Sequence, residues 1–229
     1  MNFFEFAWSI LPRLLDGTVV TLELTAFSIS LGFGLGIILA LGRVYGKSPV
    51  RIISNGYIQF FRGTPLLVQL LLIYYGLPPY LAMIGIRISP FSAAVIALGL
   101  NSAAYQAEYF RGAIQSIRIG QMMAARSMGM SKVQAIRYVI LPQALRIVIP
   151  SWSNELIYGI KYSSLAYFLS LTELTFTGKK IIAKTARTFE TYIIVALIYL
   201  AIVLIVSQLL RMLENRVRVP GLGVNAEHR

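Results

Sequence analysis

From Thr18 to Leu41 the chain carries one ionisable residue, Glu23, close to the start of the run. An α-helix needs about 20 consecutive apolar residues to cross a hydrocarbon core about 30 Å thick. The run therefore predicts a membrane span over about 18–41, and four further segments have the same character: about 65–82, 91–112, 147–171 and 190–213. Composition agrees. Hydrophobic residues make up 57% of the 229 and charged residues 13%, against roughly 25% charged in soluble domains. Soluble and disordered classes are excluded together, because disordered chains are polar and poor in aromatics and this one is 12% aromatic. The reading is a single all-α integral membrane domain, 1–229, with five transmembrane helices. Residues 3–14 alternate large apolar groups with Glu5, Ser9 and Arg13 at helical spacing, and predict a short N-terminal helix lying in the interface. A polar segment, about 113–146, separates the third span from the fourth. Residues 211–229 form a charged tail with Pro220-Gly221.

The basic residues give an orientation. Fourteen of the 21 Lys and Arg fall on one side: Arg43, Lys47, Arg51, Arg62, Arg111, Arg118, Arg126, Lys132, Arg137, Arg146, Arg211, Arg216, Arg218 and Arg229. Arg13, Arg87, Lys179, Lys180, Lys184 and Arg187 fall on the other, and Lys161 lies inside a span. The richer side is cytoplasmic by the positive-inside rule. A multi-pass protein of the cell membrane is expected, with the N-terminus outside and the C-terminus cytoplasmic. The net charge of +12 then reports topology, and no nucleic-acid partner is expected. Absence of Cys and a single His, His228 in the tail, exclude disulfides, thiolate chemistry and His-based metal clusters. No catalytic residue, metal or cofactor is expected. The start, Met1-Asn2-Phe3-Phe4-Glu5, lacks the basic stretch of a cleavable signal peptide.

The polar segment has an internal grammar. Gly129 suits the left-handed position that ends a helix. Ser131 and Gln134 have capping-box spacing for a second one, which Pro142 is expected to stop. Met122, Met123, Met128 and Met130 surround the turn, and Met suits a surface that seats in another protein's pocket. A loop folded back on its own helices would use the same residues.

Gly120 to Pro150 resembles the cytoplasmic signature loop of permease subunits of bacterial and archaeal ABC importers: Met123-Ala124-Ala125 stands for Glu-Ala-Ala, Gly129 follows, then Ile140-Leu141-Pro142. Phe61-Arg62-Gly63-Thr64-Pro65-Leu66, Asn101-Ser102-Ala103-Ala104-Tyr105, Phe110-Arg111-Gly112-Ala113-Ile114 and Ser164-Leu165-Ala166 are similar to the polar amino acid branch. The resemblance implies the type I importer (MetI-like) permease fold, with 113–146 as a cytoplasmic two-helix coupling loop. It also implies partners: a second permease subunit, identical or homologous, cytoplasmic ABC ATPase subunits that hydrolyse the ATP, an extracytoplasmic solute-binding protein and an amino acid substrate. Gly120, Met123, Ala124, Ala125, Met128, Gly129, Leu141 and Pro142 would couple to the ATPase. Met123 replaces the family's Glu, removing a carboxylate that would favour the helix dipole, so apolar packing should carry more of that contact.

Ionisable groups inside a span are costly, and are paired or functional. Asn101, Tyr105 and Glu108 share a helix face, and Glu108 has Arg111 one turn away, which reads as a structural ion pair. Asn101 and Glu155 each lie roughly 15 Å from the end of their span, near the midplane, the depth of transporter substrate sites. Asn154-Glu155 has no basic residue within a turn. A buried carboxylate without local partner calls for a counter-charge, supplied either by a residue across a subunit interface or by the substrate. The second reading gives Glu155, Asn154, Asn101, Ser102 and Tyr105 as substrate-binding residues and a basic amino acid (arginine, lysine or histidine) as substrate. The alternative substrate is polar neutral or acidic, glutamine or glutamate. An independent secondary transporter would leave the two-helix loop unexplained. Lys179, Lys180, Lys184 and Arg187 read as a solvated face or as a contact for an acidic external protein.

Overall fold

The computed structural model describes residues 2–217. Arg218, His228, Arg229 and Pro220-Gly221 of the tail lie outside the described residues. Among those described, the chain is helical with no strand. The elements are α1 (Phe3–Tyr45), α2 (Ser48–Gly63), α3 (Leu66–Leu71), a π-helical turn (Leu72–Gly76), α4 (Pro78–Ala82), α5 (Pro90–Ser116), α6 (Ile119–Ser127), α7 (Lys132–Ala135), a second π turn (Ile136–Ile140), α8 (Leu141–Tyr162), a 3₁₀ segment (Ser163–Leu169), α9 (Leu174–Thr185) and α10 (Thr188–Val217).

α1 differs from the sequence expectation. Residues 3–14 are its first turns and not a separate interfacial helix. Asn2 and Glu5 form a reciprocal capping box, and Pro12 lies inside the helix without ending it. The cause is tertiary. Phe6, Ile10 and Leu14, four residues apart, are buried with Leu174, Ile181, Ile194 and Val195 of α9 and α10. That burial outweighs the bond that Pro12 cannot donate. At 1.5 Å per residue α1 is about 65 Å long, twice the thickness of a hydrocarbon core.

α5 is the centre of the bundle. Ala93, Ala94, Ala97, Ala103, Ala104 and Ala107 are all fully buried, and small side chains let α1 lie close. α1 and α5 run parallel: Leu24 packs with Ala94 and Leu98 at one end, and Ala40 with Phe110, Ala113 and Ile114 at the other. A Cβ on Gly36 would come within 3.2 Å of the Ala107 backbone nitrogen and 3.3 Å of the Ala103 carbonyl oxygen. Gly32 and Gly36 thus form the small-xxx-small contact their spacing announces. We expect Gly36→Leu to destabilise the bundle by about 1–3 kcal/mol through overpacking, read as a lower Tm of the detergent-solubilised protein. Gly34 faces open space, so Gly34→Ala should not lower the Tm, since Ala favours a helix interior over Gly.

By length and composition, two helices are apolar enough to cross a membrane, α1 and α10; α2 with the segment Leu66–Ala82, bent by 104°, supplies a third if counted as one span. α5 and α8 were expected as spans and do not meet that test. α5 carries Asn101, Ser102, Gln106, Glu108 and Arg111, and α8 carries Gln143, Arg146, Asn154, Glu155 and Lys161. The deep packing of α5 explains how it can be so polar: its neighbours are helices, and their side chains answer its polar groups.

The segment after α5 folds as its capping signals predict. Gly129 takes φ 85°. The Met130 N–H donates to the Ala125 carbonyl at 3.2 Å, and an Arg126 guanidinium N–H to the Met130 carbonyl at 2.8 Å. Ser131 and Gln134 exchange bonds of 2.7 and 3.2 Å. Pro142, expected to stop the second helix, instead sits in the first turn of α8, where a missing N–H is tolerated. The wider π turn at Ile136–Ile140 carries the chain from α7 into α8 across this point.

Candidate functional site

α5 and α8 pack antiparallel, with Phe110 and Ile114 against Ala144 and Val148 at one end and Ser102 against Glu155 further along. Glu155 is 7% exposed. The Ser102 hydroxyl donates to its Oε1 at 2.7 Å, and the Tyr109 hydroxyl to Oε2 at 3.4 Å. Behind Ser102, the Gln106 Nε2 donates to the Ser102 Oγ at 3.0 Å and to the Ile29 carbonyl at 3.2 Å. A directed chain therefore runs from Gln106 through Ser102 to the carboxylate. The hydroxyl of Ser102 accepts from behind, so its proton is committed forward to Glu155.

Glu155 is therefore not without partners, as its own helix suggested. They come from α5, 46 and 53 residues away in sequence. Both are neutral. Among the described residues no cation pairs with Glu155; Lys161 instead stacks its Nζ 4.5 Å from the centroid of Tyr158. Two hydroxyl bonds leave acceptor capacity on the carboxylate, which can receive an ammonium or amide N–H.

The other expected substrate residues separate. Asn101 is buried but turned to the α2–α3 bend: its Nδ2 donates to the Phe61 carbonyl at 3.1 Å and to Gln69 Oε1 at 2.9 Å. Gln69 in turn donates to the Phe61 and Thr64 carbonyls at 2.9 and 3.0 Å and to Thr64 Oγ1 at 2.7 Å. Phe61-Arg62-Gly63-Thr64-Pro65 is thus the corner that these two amides hold in shape. Tyr105 lies under the guanidinium of Arg62, 5.3 Å from centroid to Cζ. Asn154 is exposed, because neighbouring helical residues point about 100° apart. Glu108 forms the expected pair with Arg111 at 2.8 Å, and also pairs with Arg43 of α1 and, at 3.7 Å, with Arg62 of α2. Sequence reasoning missed Gln69, Gln106 and Tyr109. The i, i+4 spacing of Ser102 and Gln106 was the one available signal.

At the far end of α5, the residues expected to couple to another protein are not all at the surface. Gly120, Met123, Ala124, Met128, Gly129 and Pro142 are exposed, Leu141 is half-buried and Ala125 is buried. Ala125 is therefore a packing residue under α6, where its small side chain lets the helix lie flat. Met128 is 81% exposed, Ile119 77%, Val133 72% and Met123 59%. Large apolar side chains gathered around one turn fit a protein-facing surface. Of the later basic group, Lys179 stacks on Tyr167 and Phe176, and Arg187 on Phe6.

A helical bundle with a polar central helix, a buried carboxylate and two short helices bearing exposed apolar side chains fits a membrane transport subunit. The model of the family described as "Binding-protein-dependent transport system inner membrane component" matches residues 32–219, and the chain belongs to that family. The glutamine transport system permease protein GlnP of Escherichia coli is 39% identical over 93% of this chain and 96% of its own. A probable amino-acid ABC transporter permease protein, PatM of Vibrio harveyi, is 43% identical over 90% of this chain and 92% of its own. Among solved structures, an amino acid ABC transporter with histidines superposes with a TM-score of 0.83 at 40% identity, covering 94% of this chain and 99% of that one. The fold is the all-helical MetI-like permease fold, and the protein is a multi-pass inner-membrane permease subunit of an ABC importer for amino acids.

Proposed function

We propose that this subunit forms half of a translocation path for a polar amino acid, and that Glu155 receives the substrate's ammonium group. The observation that carries the reading is a buried carboxylate held by two neutral hydroxyls, with no cation against it among the described residues. Every amino acid carries an α-ammonium group, so a carboxylate at this depth does not require a basic side chain. Similarity to GlnP favours a neutral polar substrate such as glutamine over the basic amino acids expected from Glu155 alone. A second reading, with Glu155 taking a cationic side chain, draws on the likeness to the transporter solved with histidines.

Around this site, five crossings are proposed: α1, the bent α2–α4 segment, α5, α8 with the 3₁₀ segment, and α10. The parallel run of α1 and α5 and the antiparallel run of α5 and α8 support alternating passage. On this reading the basic residues favour an outside N-terminus and a cytoplasmic C-terminus. α6, the turn Met128–Met130 and α7 dock on a cytoplasmic ATPase, a second permease copy or homologue completes the path, and an external binding protein delivers the substrate. Ser102 and Tyr109 align the Glu155 carboxylate. Asn101 and Gln69 fix the α2–α3 corner, and Tyr105 lines a cavity with Arg43, Arg62 and Glu108.

Uptake of labelled glutamine into cells expressing the transporter, with and without its ATPase, tests the reading. Uptake is expected to vanish without the ATPase and to be blocked by excess glutamine more strongly than by arginine or histidine. Stronger blocking by arginine or histidine would transfer support to the cationic reading. Uptake indifferent to the ATPase would sink both.

A further inference from the structure

The arginines of α1, α2 and α5 gather at the ends of their helices, away from Glu155. Arg43 is two residues from the end of α1, Arg51 lies in the first turn of α2, and Arg111 and Gln115 in the last turns of α5. With Val44 and Asn55 they line a cavity of about 350 Å³ that has no carboxylate in its wall. A neighbouring cavity of about 470 Å³ shares Arg43 and Asn55 and adds Arg62 and Glu108. Glu108 is the one acid against four guanidinium groups. It already serves Arg43, Arg111 and Arg62, which leaves three positive charges in excess. Among the described residues, Arg51 reaches only the Gly46 carbonyl, at 3.4 Å. Asn55 lines both cavities.

The Arg51 guanidinium, with the N–H groups of Arg43 and Arg111 that Glu108 and Gln115 leave unused, lines one cavity, and guanidinium N–H groups match the oxygens of a phosphate group. Arg43 lies just past the expected span 18–41 of α1, and basic pockets between membrane helices hold lipid headgroups. Ile52 and Ile53, 66% and 71% exposed on α2 beside Arg51, give acyl chains an apolar surface. We propose that the Arg43–Arg51–Arg111 cavity binds a phosphate-bearing anion, supplied by an anionic phospholipid headgroup or by free phosphate. The site depends on the membrane location of the chain and not on which amino acid is carried.

Native mass spectrometry of the purified transporter complex, incubated with phosphatidylglycerol or phosphatidylcholine, tests it without any transport readout. The wild type should retain phosphatidylglycerol over phosphatidylcholine. Arg51→Gln, at an exposed position that leaves the Glu108 pairs intact, should lower that retention roughly fivefold, the effect of one basic group near a membrane surface. Arg211→Gln on α10, outside the cavity lining, should not. In a second arm, inorganic phosphate is added to lipid-depleted protein and the Tm is measured. Arg51-dependent stabilisation by phosphate, without selective lipid retention, would identify free phosphate as the source. Lipid retention that ignores Arg51, together with no Arg51-dependent effect of phosphate, would overturn the proposal.

Discussion

Glu155→Gln is expected to lower amino acid uptake by roughly tenfold to a hundredfold, the effect of losing one hydrogen bond to a charged group. The substitution keeps shape and removes charge. Ser102 can still donate to the remaining carbonyl oxygen of the amide, so the Gln106–Ser102 chain survives and the fold should hold. What disappears is the attraction for an ammonium group. The pattern across substrates identifies which ammonium is involved. Equal loss for glutamine and arginine assigns Glu155 to the α-ammonium that both carry. A much larger loss for arginine assigns it to the side chain and supports the basic-substrate reading. Unchanged uptake of both would remove Glu155 from the path. Ser102→Ala provides a companion measurement. It takes away the short 2.7 Å bond but leaves the carboxylate, so its effect should be smaller than that of Glu155→Gln.

Met128→Asp is expected to abolish co-purification of the ATPase and, with it, uptake. Met128 is the most exposed of the apolar residues around the α6–α7 turn, at 81%, and next to it Gly129 occupies the left-handed position that closes α6. A carboxylate here costs the isolated subunit little, since solvent surrounds it. Seated in an apolar groove it would be a buried, unpaired charge, which is prohibitive. This chain has no acid in α6 to share such a contact, so the apolar side chains would carry it. Met128→Leu, of similar volume, should retain the ATPase. If Met128→Asp binds and transports as the wild type does, α6 and α7 are not the docking element.

Much of this molecule was legible wherever the governing interaction is local. The Gly129 turn and the Ser131–Gln134 capping box follow from short-range backbone chemistry, and both stand as read. The Gly32–Gly36 contact was legible because helix periodicity puts both on one face. Residues 3–14 were misread because amphipathic spacing alone does not distinguish a membrane interface from the flank of α9 and α10. Pro142 was misread because a π turn, which has no sequence signature, lets the helix continue past it. Asn101 was assigned to the substrate from its depth and its face, but the α2–α3 corner competes for the same amide, and that corner is a tertiary feature. Glu155 was singled out by the cost of a carboxylate in the membrane, and the structure buries it. Its partners Ser102 and Tyr109 could be found only once α5 lay across α8.

The most direct measurement is a cryo-EM structure of the complete transporter, with its ATPase and second permease subunit, in the presence of the transported amino acid. The account predicts density for the substrate with its ammonium nitrogen within hydrogen-bond distance of the Glu155 carboxylate, and Ser102 still donating to Oε1. Substrate density elsewhere in the path, with Glu155 paired to a cation of either permease subunit, would contradict it.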